Sequence, residues 1–542
     1  MTEQSPDADA PGRLAEGRTA VLESTVGERS VSARAAYGLA ALAGLLYFLA
    51  FPGVDFWPLA FVAFVPLAVA LKGQPARVAT LCGWIAGFVM TMAGFYWLQE
   101  MLVTFSGFPA VVCFLFVALL CAYQAGRIAL MGWLCARVAS RGWPFGVAFA
   151  LAFAASEQLY PLLFPWAYAA TVHQVPSLTQ LAELGGPIVV GLILVAANLA
   201  FVELILARRE RRAVRARVVG SLGAVPVIAA LWGMVRIPMV EAMAEKGAPL
   251  RVGVVQANMS LMGKRKDPRE GLTRHLDLTR QLMADTPPGL VVWSETSAMR
   301  PVEEGRAESV FPRAFTRDLG VPTIFGGVLV RRVDDARRYV LFNSALMTDG
   351  DGNVVGRYDK QFLLGFGEYL PFGDTFPILY EWSPNSGHFT PGKTFEPLRL
   401  GDYGIATFIC YEDIVPSFVN RIMNQGPAHL LVNLTNDAWF GDTTEPWIHL
   451  ALAKLRAVEQ RRYFVRSTNS GVSAIIDPAG RVLAHTGTFE QATLEEDVRL
   501  LDGATVYRVV GDAPWWLLSL LTLAGCWVGR STLRKRGAEI PS

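Results

Sequence analysis

The chain has 542 residues, 52% of them hydrophobic and 18% charged, with a formal net charge of +2. It is too long for one ordinary domain, and its charged share lies below the roughly 25% of soluble globular chains. A charge this close to zero gives no electrostatic footprint for nucleic acid, and an apolar surplus gathered into blocks excludes a wholly soluble protein.

Residues 1–34 are polar and Arg-containing, without the apolar stretch of a cleavable signal. They read as a disordered cytoplasmic tail. Seven helices are expected over 35–237, near 35–52, 56–71, 78–98, 108–134, 144–163, 186–206 and 218–237, since crossing takes about 20 apolar residues. Lys72 and Arg77, Arg137 and Arg141, and the run A207-R-R-E-R-R-A-V-R-A-R217 fall in alternate connections. The intervening connections, 53–55, 99–107 and 164–185, contain neither Lys nor Arg. Basic loops are retained in the cytoplasm, so the N-terminus is expected inside and the block after the seventh helix outside. Glu157 and Arg127 are costly in lipid and are expected to face the bundle interior or water, as a packing pair or toward substrate.

Residues 248–505 read as an extracytoplasmic α/β domain. Strand-like runs at 250–256, 289–294, 322–330, 339–347, 353–358, 403–410 and 429–435 are interleaved with amphipathic stretches near 268–285, 307–319, 416–425 and 446–461. An eighth helix is expected at 514–530, followed by a basic cytoplasmic tail, 531–542. Five of the six cysteines lie in or beside apolar spans; Cys410 alone lies in the domain. No CxxC or Cys/His spacing suggests zinc, and no metal or cofactor is expected.

Three reactive side chains follow strand-like runs, where α/β folds place their sites: Glu295 in V291-V-W-S-E-T296, Lys360 in G356-R-Y-D-K-Q361 and Cys410 in F408-I-C-Y-E412. Singly, they are a solvated cap, a surface lysine and a buried hydrophobe. Together they make an acyl-transfer set: a base, a cation for the oxyanion and a thiol.

These residues, with L434-T-N-D-A-W-F-G-D442, P446-W-I-H449 and R466-S-T-N-S-G471, resemble the carbon–nitrogen hydrolase (nitrilase) superfamily. Set between helical blocks, the domain resembles the apolipoprotein N-acyltransferase family of bacterial envelopes. The resemblance implies an α-β-β-α sandwich with Glu295 as general base, Lys360 as oxyanion stabiliser and Cys410 as nucleophile. It further implies supporting or substrate-binding roles for Glu368, Tyr411, Glu412 and Trp439. Ser294 and Gly365 stand where the family usually has proline, and 260–267 lacks its usual tryptophan.

The implied reaction is ping-pong: an acyl chain passes from a membrane phospholipid through a thioester to the amine of a diacylglyceryl-cysteine apolipoprotein. The protein is then a monomer of the bacterial inner membrane, with its domain on the periplasmic side. The aromatic segment 362–382 and Trp439-Phe440 are expected as mobile, membrane-facing loops, or as ordinary packing. A membrane-tethered amidase or nitrilase is the main alternative. A Cys–His protease using His449 or His388 lacks an Asn/Asp partner pattern, and a transporter or receptor lacks an internal repeat.

Overall fold

The computed structural model describes residues 30–529 apart from 107, 261–266, 285, 308–311, 334–337, 366, 371 and 383–386. Most of the polar N-terminal tail and the basic C-terminal tail thus lie outside the described residues.

Among those residues, four helices are long and apolar enough to cross a membrane: Ala76–Gly94, Ala110–Ala139, Ala182–Arg209 and Ala216–Ala244. Shorter apolar helices of 10–17 residues occupy Ala33–Leu49, Trp57–Leu71, Phe145–Leu159 and Ala513–Gly525. Every expected region is helical, but only half of these helices have spanning length by themselves.

Several boundaries differ from expectation. The first helix begins at Ala33, inside the expected tail. The second divides into a 3-10 turn, Trp57–Phe61, and a helix, Val65–Leu71, with Pro58 and Pro66 at the two starts. The expected loop 99–107 is mostly helix, Trp97–Ser106. The Ala182–Arg209 helix is non-helical at Gly185 and Gly186, just before Pro187. The seventh helix, expected to end at 237, continues to Ala244.

Small residues set the close packing of the bundle. A Cβ on Gly83 would lie 2.1 Å from the Ile128 carbonyl oxygen, and one on Gly132 would lie 2.3 Å from that of Ala79. Only glycine permits that approach. Arg127 and Glu157 pair at 3.2 Å, both buried, and Arg127 also donates to the Trp166 carbonyl. That is the packing arrangement.

The domain is built on two sheets. The first contains β1 (Ala248–Gln256), β2 (Leu290–Trp293), β3 (Ala298–Glu303), β4 (Thr323–Val333), β5 (Arg338–Thr348) and β6 (Val354–Asp359). The second contains β7 (Leu398–Leu400), β8 (Tyr403–Ile409), β9 (Leu430–Thr435), β10 (Phe464–Thr468), β11 (Ala474–Ile476) and β12 (Val482–His485). A last strand, β13 (Ala492–Leu500), returns to pair antiparallel with β1. The orders are β13-β1-β2-β4-β5-β6, with β3 beside β4, and β12-β11-β10-β9-β8-β7.

Alternation along β1 and β2 explains the layers. Val252, Val254, Leu290 and Val292 enter the core that holds Phe408, Leu430 and Val432 of the second sheet. Val255, Val291 and Trp293 face the other way, into a cluster with Leu282 and Phe315. Leu282 ends the helix Pro268–Leu282. The helices Pro416–Met423 and Glu445–Gln460 belong to the second sheet's side and pack on each other. The result is the expected four-layer α-β-β-α arrangement.

The strand-like runs did not include β3, β7, β10, β11, β12 or β13. Of the helix expected at 307–319, residues 308–311 lie outside the described residues, and the remainder holds Arg313–Thr316 and a 3-10 turn.

Candidate active site

Glu295 follows β2, Lys360 follows β6 and Cys410 follows β8, and the sandwich brings the three strand ends together. All three are buried: Glu295 is 6% exposed, Lys360 2% and Cys410 5%. The Lys360 ammonium lies 2.8 Å from Glu368 Oε2 and 3.8 Å from Glu295 Oε1. Burial works against its charge, but Glu368, the Cys410 sulfur and Glu295 together raise its pKa above the ordinary value.

Asn343 organises the two carboxylates, a role not evident from sequence. From β5 its Nδ2 donates to Glu295 Oε1 at 2.6 Å and to Glu368 Oε1 at 2.8 Å. Its carbonyl accepts the Lys360 backbone N–H at 2.8 Å. One residue thereby sets both carboxylates and the lysine backbone. The available signal was a polar side chain inside the apolar strand V340-L-F-N-S-A-L346.

Cys410 adopts φ +56°, left-handed backbone that a non-glycine residue occupies only when its surroundings enforce it. The 3-10 turn Cys410–Ile414 is gripped at every residue. Asn433 Nδ2 donates to the Cys410 carbonyl at 2.9 Å. Tyr411 donates its hydroxyl to Glu445 and stacks on His449, ring centroids 4.8 Å apart. Arg456 donates to the Ile414 carbonyl at 3.1 Å.

Glu412 is a latch. It accepts N–H groups from Gln361 at 2.7 Å, Phe362 at 3.0 Å and Ile409 at 2.8 Å, and the Tyr358 hydroxyl at 2.8 Å. The lysine loop is thereby tied to the cysteine turn. Burial raises its carboxyl to about 7, although those N–H groups and Lys360 oppose the shift.

Burial pushes the Cys410 thiol well above its usual range; Lys360 pulls it down, while Glu295, Asp437 and Glu368 push it up. The resting thiol is therefore protonated and needs a base for activation. Glu295, anchored by Asn343, lies close enough to the thiol to act on it electrostatically.

Trp439 is half-buried in the 3-10 turn Asp437–Phe440. Phe440, expected on a mobile loop, is buried against Trp97 and Tyr411 at centroid distances of 5.1 and 5.8 Å. Its packing fixes this turn. In contrast, Phe372 is 76% exposed and Phe376 57%, so the segment beyond Glu368 presents aromatic rings outward.

Neither histidine serves the thiol. His388 is exposed and meets Asp374, while His449 uses both ring nitrogens on Asp413 and Asp437. Among the described residues, one group has donors close enough to hold a metal: Asp437, Glu445 and His449, within 4.8 Å of one another. The Arg466 guanidinium already bridges this group's Asp437 to Asp413, so an internal cation compensates the carboxylates.

Residues 43–200 match the family model described as the apolipoprotein N-acyltransferase N-terminal domain, and residues 251–507 match the carbon–nitrogen hydrolase model. The chain is 30% identical over 489 residues to an apolipoprotein N-acyltransferase of Geobacter metallireducens, covering 89% of this chain and 92% of that protein. It is 31% identical to the Ralstonia nicotianae protein of the same name, covering 93% and 95%. Against the Azotobacter vinelandii apolipoprotein N-acyltransferase, identity is 32% over 92% of this chain and 95% of that one.

Proposed function

We propose, since this chain belongs to the apolipoprotein N-acyltransferase family, that it N-acylates lipoproteins through a thioester on Cys410. The observation that carries the mechanism is the buried juxtaposition of Glu295, Lys360 and Glu368 beside a thiol that burial keeps protonated.

Glu295 takes the thiol proton, and the Cys410 sulfur attacks the ester carbonyl of a phospholipid. The Lys360 ammonium stabilises the developing oxyanion. The C–O bond then breaks, and Glu295 returns its proton to the departing lysophospholipid oxygen. The thioester accepts the N-terminal amine of a diacylglyceryl-cysteine lipoprotein. Glu295 removes the ammonium proton, and collapse of the second tetrahedral intermediate leaves the amide and restores the thiol. Ester and amine become amide and alcohol, and dividing the transfer lowers each barrier.

A tethered amidase is the less favoured reading, because the match at residues 43–200 is to an acyltransferase domain for which amide hydrolysis has no evident use. The deciding experiment is mass spectrometry of a lipoprotein N-terminus from cells with and without this protein. The expected result is one additional amide-linked acyl chain with the protein present. Free acid and ammonia from an amide substrate, with no added chain, would favour the amidase.

A further inference from the structure

We propose that His449 and Arg466 are positioning residues for acyl transfer, cross-linking the turn that carries Cys410 to the aromatic turn Asp437–Phe440. The inference rests on Cys410 being the nucleophile.

His449 lies on the helix Glu445–Gln460 and Arg466 on β10, so neither belongs to the turns they join. His449 Nε2 meets Asp413 Oδ1 at 2.8 Å, and its Nδ1 meets Asp437 Oδ1 at 3.4 Å. Arg466 repeats the bridge from the other side, donating to Asp413 Oδ2 at 2.8 Å and Asp437 Oδ2 at 3.2 Å. Both carboxylates are therefore bridged twice. Asp413 belongs to the nucleophile turn and Asp437 opens the aromatic one.

The cluster is sealed. The side chains of Asp413, Asp437, His449 and Arg466 are all 0% exposed. Beside it lie Glu445, which accepts the Tyr411 hydroxyl, Tyr411, which stacks on the imidazole, Asn433, which hydrogen-bonds Asp413, and the Cys410 thiol, which feels Asp437 and Arg466. The His449 ring and the Arg466 guanidinium thus both stand between the Asp413 and Asp437 side chains. Each bridge holds part of a turn whose cysteine backbone is already left-handed. Loss of a bridge leaves a buried charge uncompensated and frees the turn to relax. A shift of about 1 Å at a nucleophile costs on the order of a hundredfold in rate.

The test uses full-length enzyme in detergent with a phospholipid donor and measures acyl-thioester formation at Cys410. Arg466→Lys keeps the charge but loses the planar fork that reaches Asp413 and Asp437 through two separate nitrogens. It is expected to remain folded, with an unchanged phospholipid KM and a rate at least about tenfold lower. His449→Gln should lose a similar factor. Adding Asp437→Asn to His449→Gln also weakens the remaining Arg466 bridge and should lower the rate further at unchanged phospholipid KM. A wild-type rate in Arg466→Lys overturns the proposal. So does a double variant as fast as the wild type, or stoichiometric bound metal in the purified wild type, since a metal would then make the bridge. Unimpaired thioester chemistry in Cys410→Ala would instead overturn the nucleophile assignment, so the two failures are distinguishable.

Discussion

A thiol that burial and three carboxylates hold protonated reacts only when its proton is taken and the incoming carbonyl oxygen is stabilised. Cys410→Ser should therefore abolish transfer while the protein still inserts and folds, checked by lipoprotein acylation and melting behaviour. A membrane-impermeant alkylating reagent should inactivate the wild type, because the other five cysteines lie in the helical bundle. Glu295→Gln should prevent thioester accumulation, and Lys360→Ala should slow it by about 3 kcal/mol of lost oxyanion support; single-turnover trapping of the thioester measures both. Asn343 adds a less obvious test. Asn343→Ala removes the donor shared by Glu295 and Glu368 and should slow thioester formation by roughly ten- to a hundredfold, as loss of a buried, charge-assisted hydrogen-bond pair does. Asn343→Asp should be worse, since it adds a third carboxylate beside Lys360. Glu295, Lys360 and Cys410 were legible as a set because each follows a strand-like run. Asn343 was not, because its partners lie 48 and 25 residues away and only the sheet brings them together.

At the level of elements, the turn Cys410–Ile414 and the helix Glu445–Gln460 behind it contain groups whose pKa values the fold raises. Burial and Arg466 oppose the charge on His449, but Asp413 and Asp437 prevail and raise its pKa from 6.5 to about 9. Burial, then Asp437, raises Glu445 from 4.5 to about 8. Between the unfolded and folded values the native state binds more protons than the unfolded chain, so stability falls as pH rises. The His449 contribution is complete below pH 6.5 and is lost as pH rises through about 9. Lys454, which burial lowers to about 8, acts in the opposite sense, but only above that pH. Melting temperature in detergent should therefore decline from pH 6.5 toward 9, and His449→Gln should flatten the decline. Little of this was visible in sequence. P446-W-I-H449 and R466-S-T-N-S-G471 were recognisable as blocks, but the partners of His449 and Arg466 come from other elements. The strands read best were those with long apolar runs. β13 carries the consecutive acidic residues Glu495, Glu496 and Asp497 in A492-T-L-E-E-D-V-R-L500, which breaks any apolar alternation, and is a strand because β1 offers it a full ladder.

For the whole molecule, the contacts divide the bundle into two ends. The connection 164–185, which lacks Lys and Arg, meets the α/β domain: Phe164 packs 6.2 Å from Tyr411, Lys454 donates to the His173 carbonyl at 2.8 Å, and Arg461 binds Glu183 and Gln180, both at 2.8 Å. The basic connections gather at other chain ends. Arg141 donates to the Cys526 carbonyl at 3.1 Å, the Arg137 guanidinium lies over the Trp527 ring, and Gln74 reaches the Val31 carbonyl at 2.7 Å. Arg212 and Arg215 both pair with Glu203 at the end of the Ala182–Arg209 helix. Those glutamate pairs do not weaken the orientation argument, because retention follows Lys and Arg rather than net charge. The basic end is therefore predicted to be cytoplasmic and the domain end outside. Reporter fusions at residue 212 and near residue 400 should give opposite signals, only the second active outside the cytoplasm. The chemistry makes the same demand, because a lipoprotein amine freed by signal-peptide removal is presented on the outer face, whereas phospholipid is present on both. A cytoplasmic signal near residue 400 would leave the thioester without its acceptor, and the tethered amidase would then account better for the site.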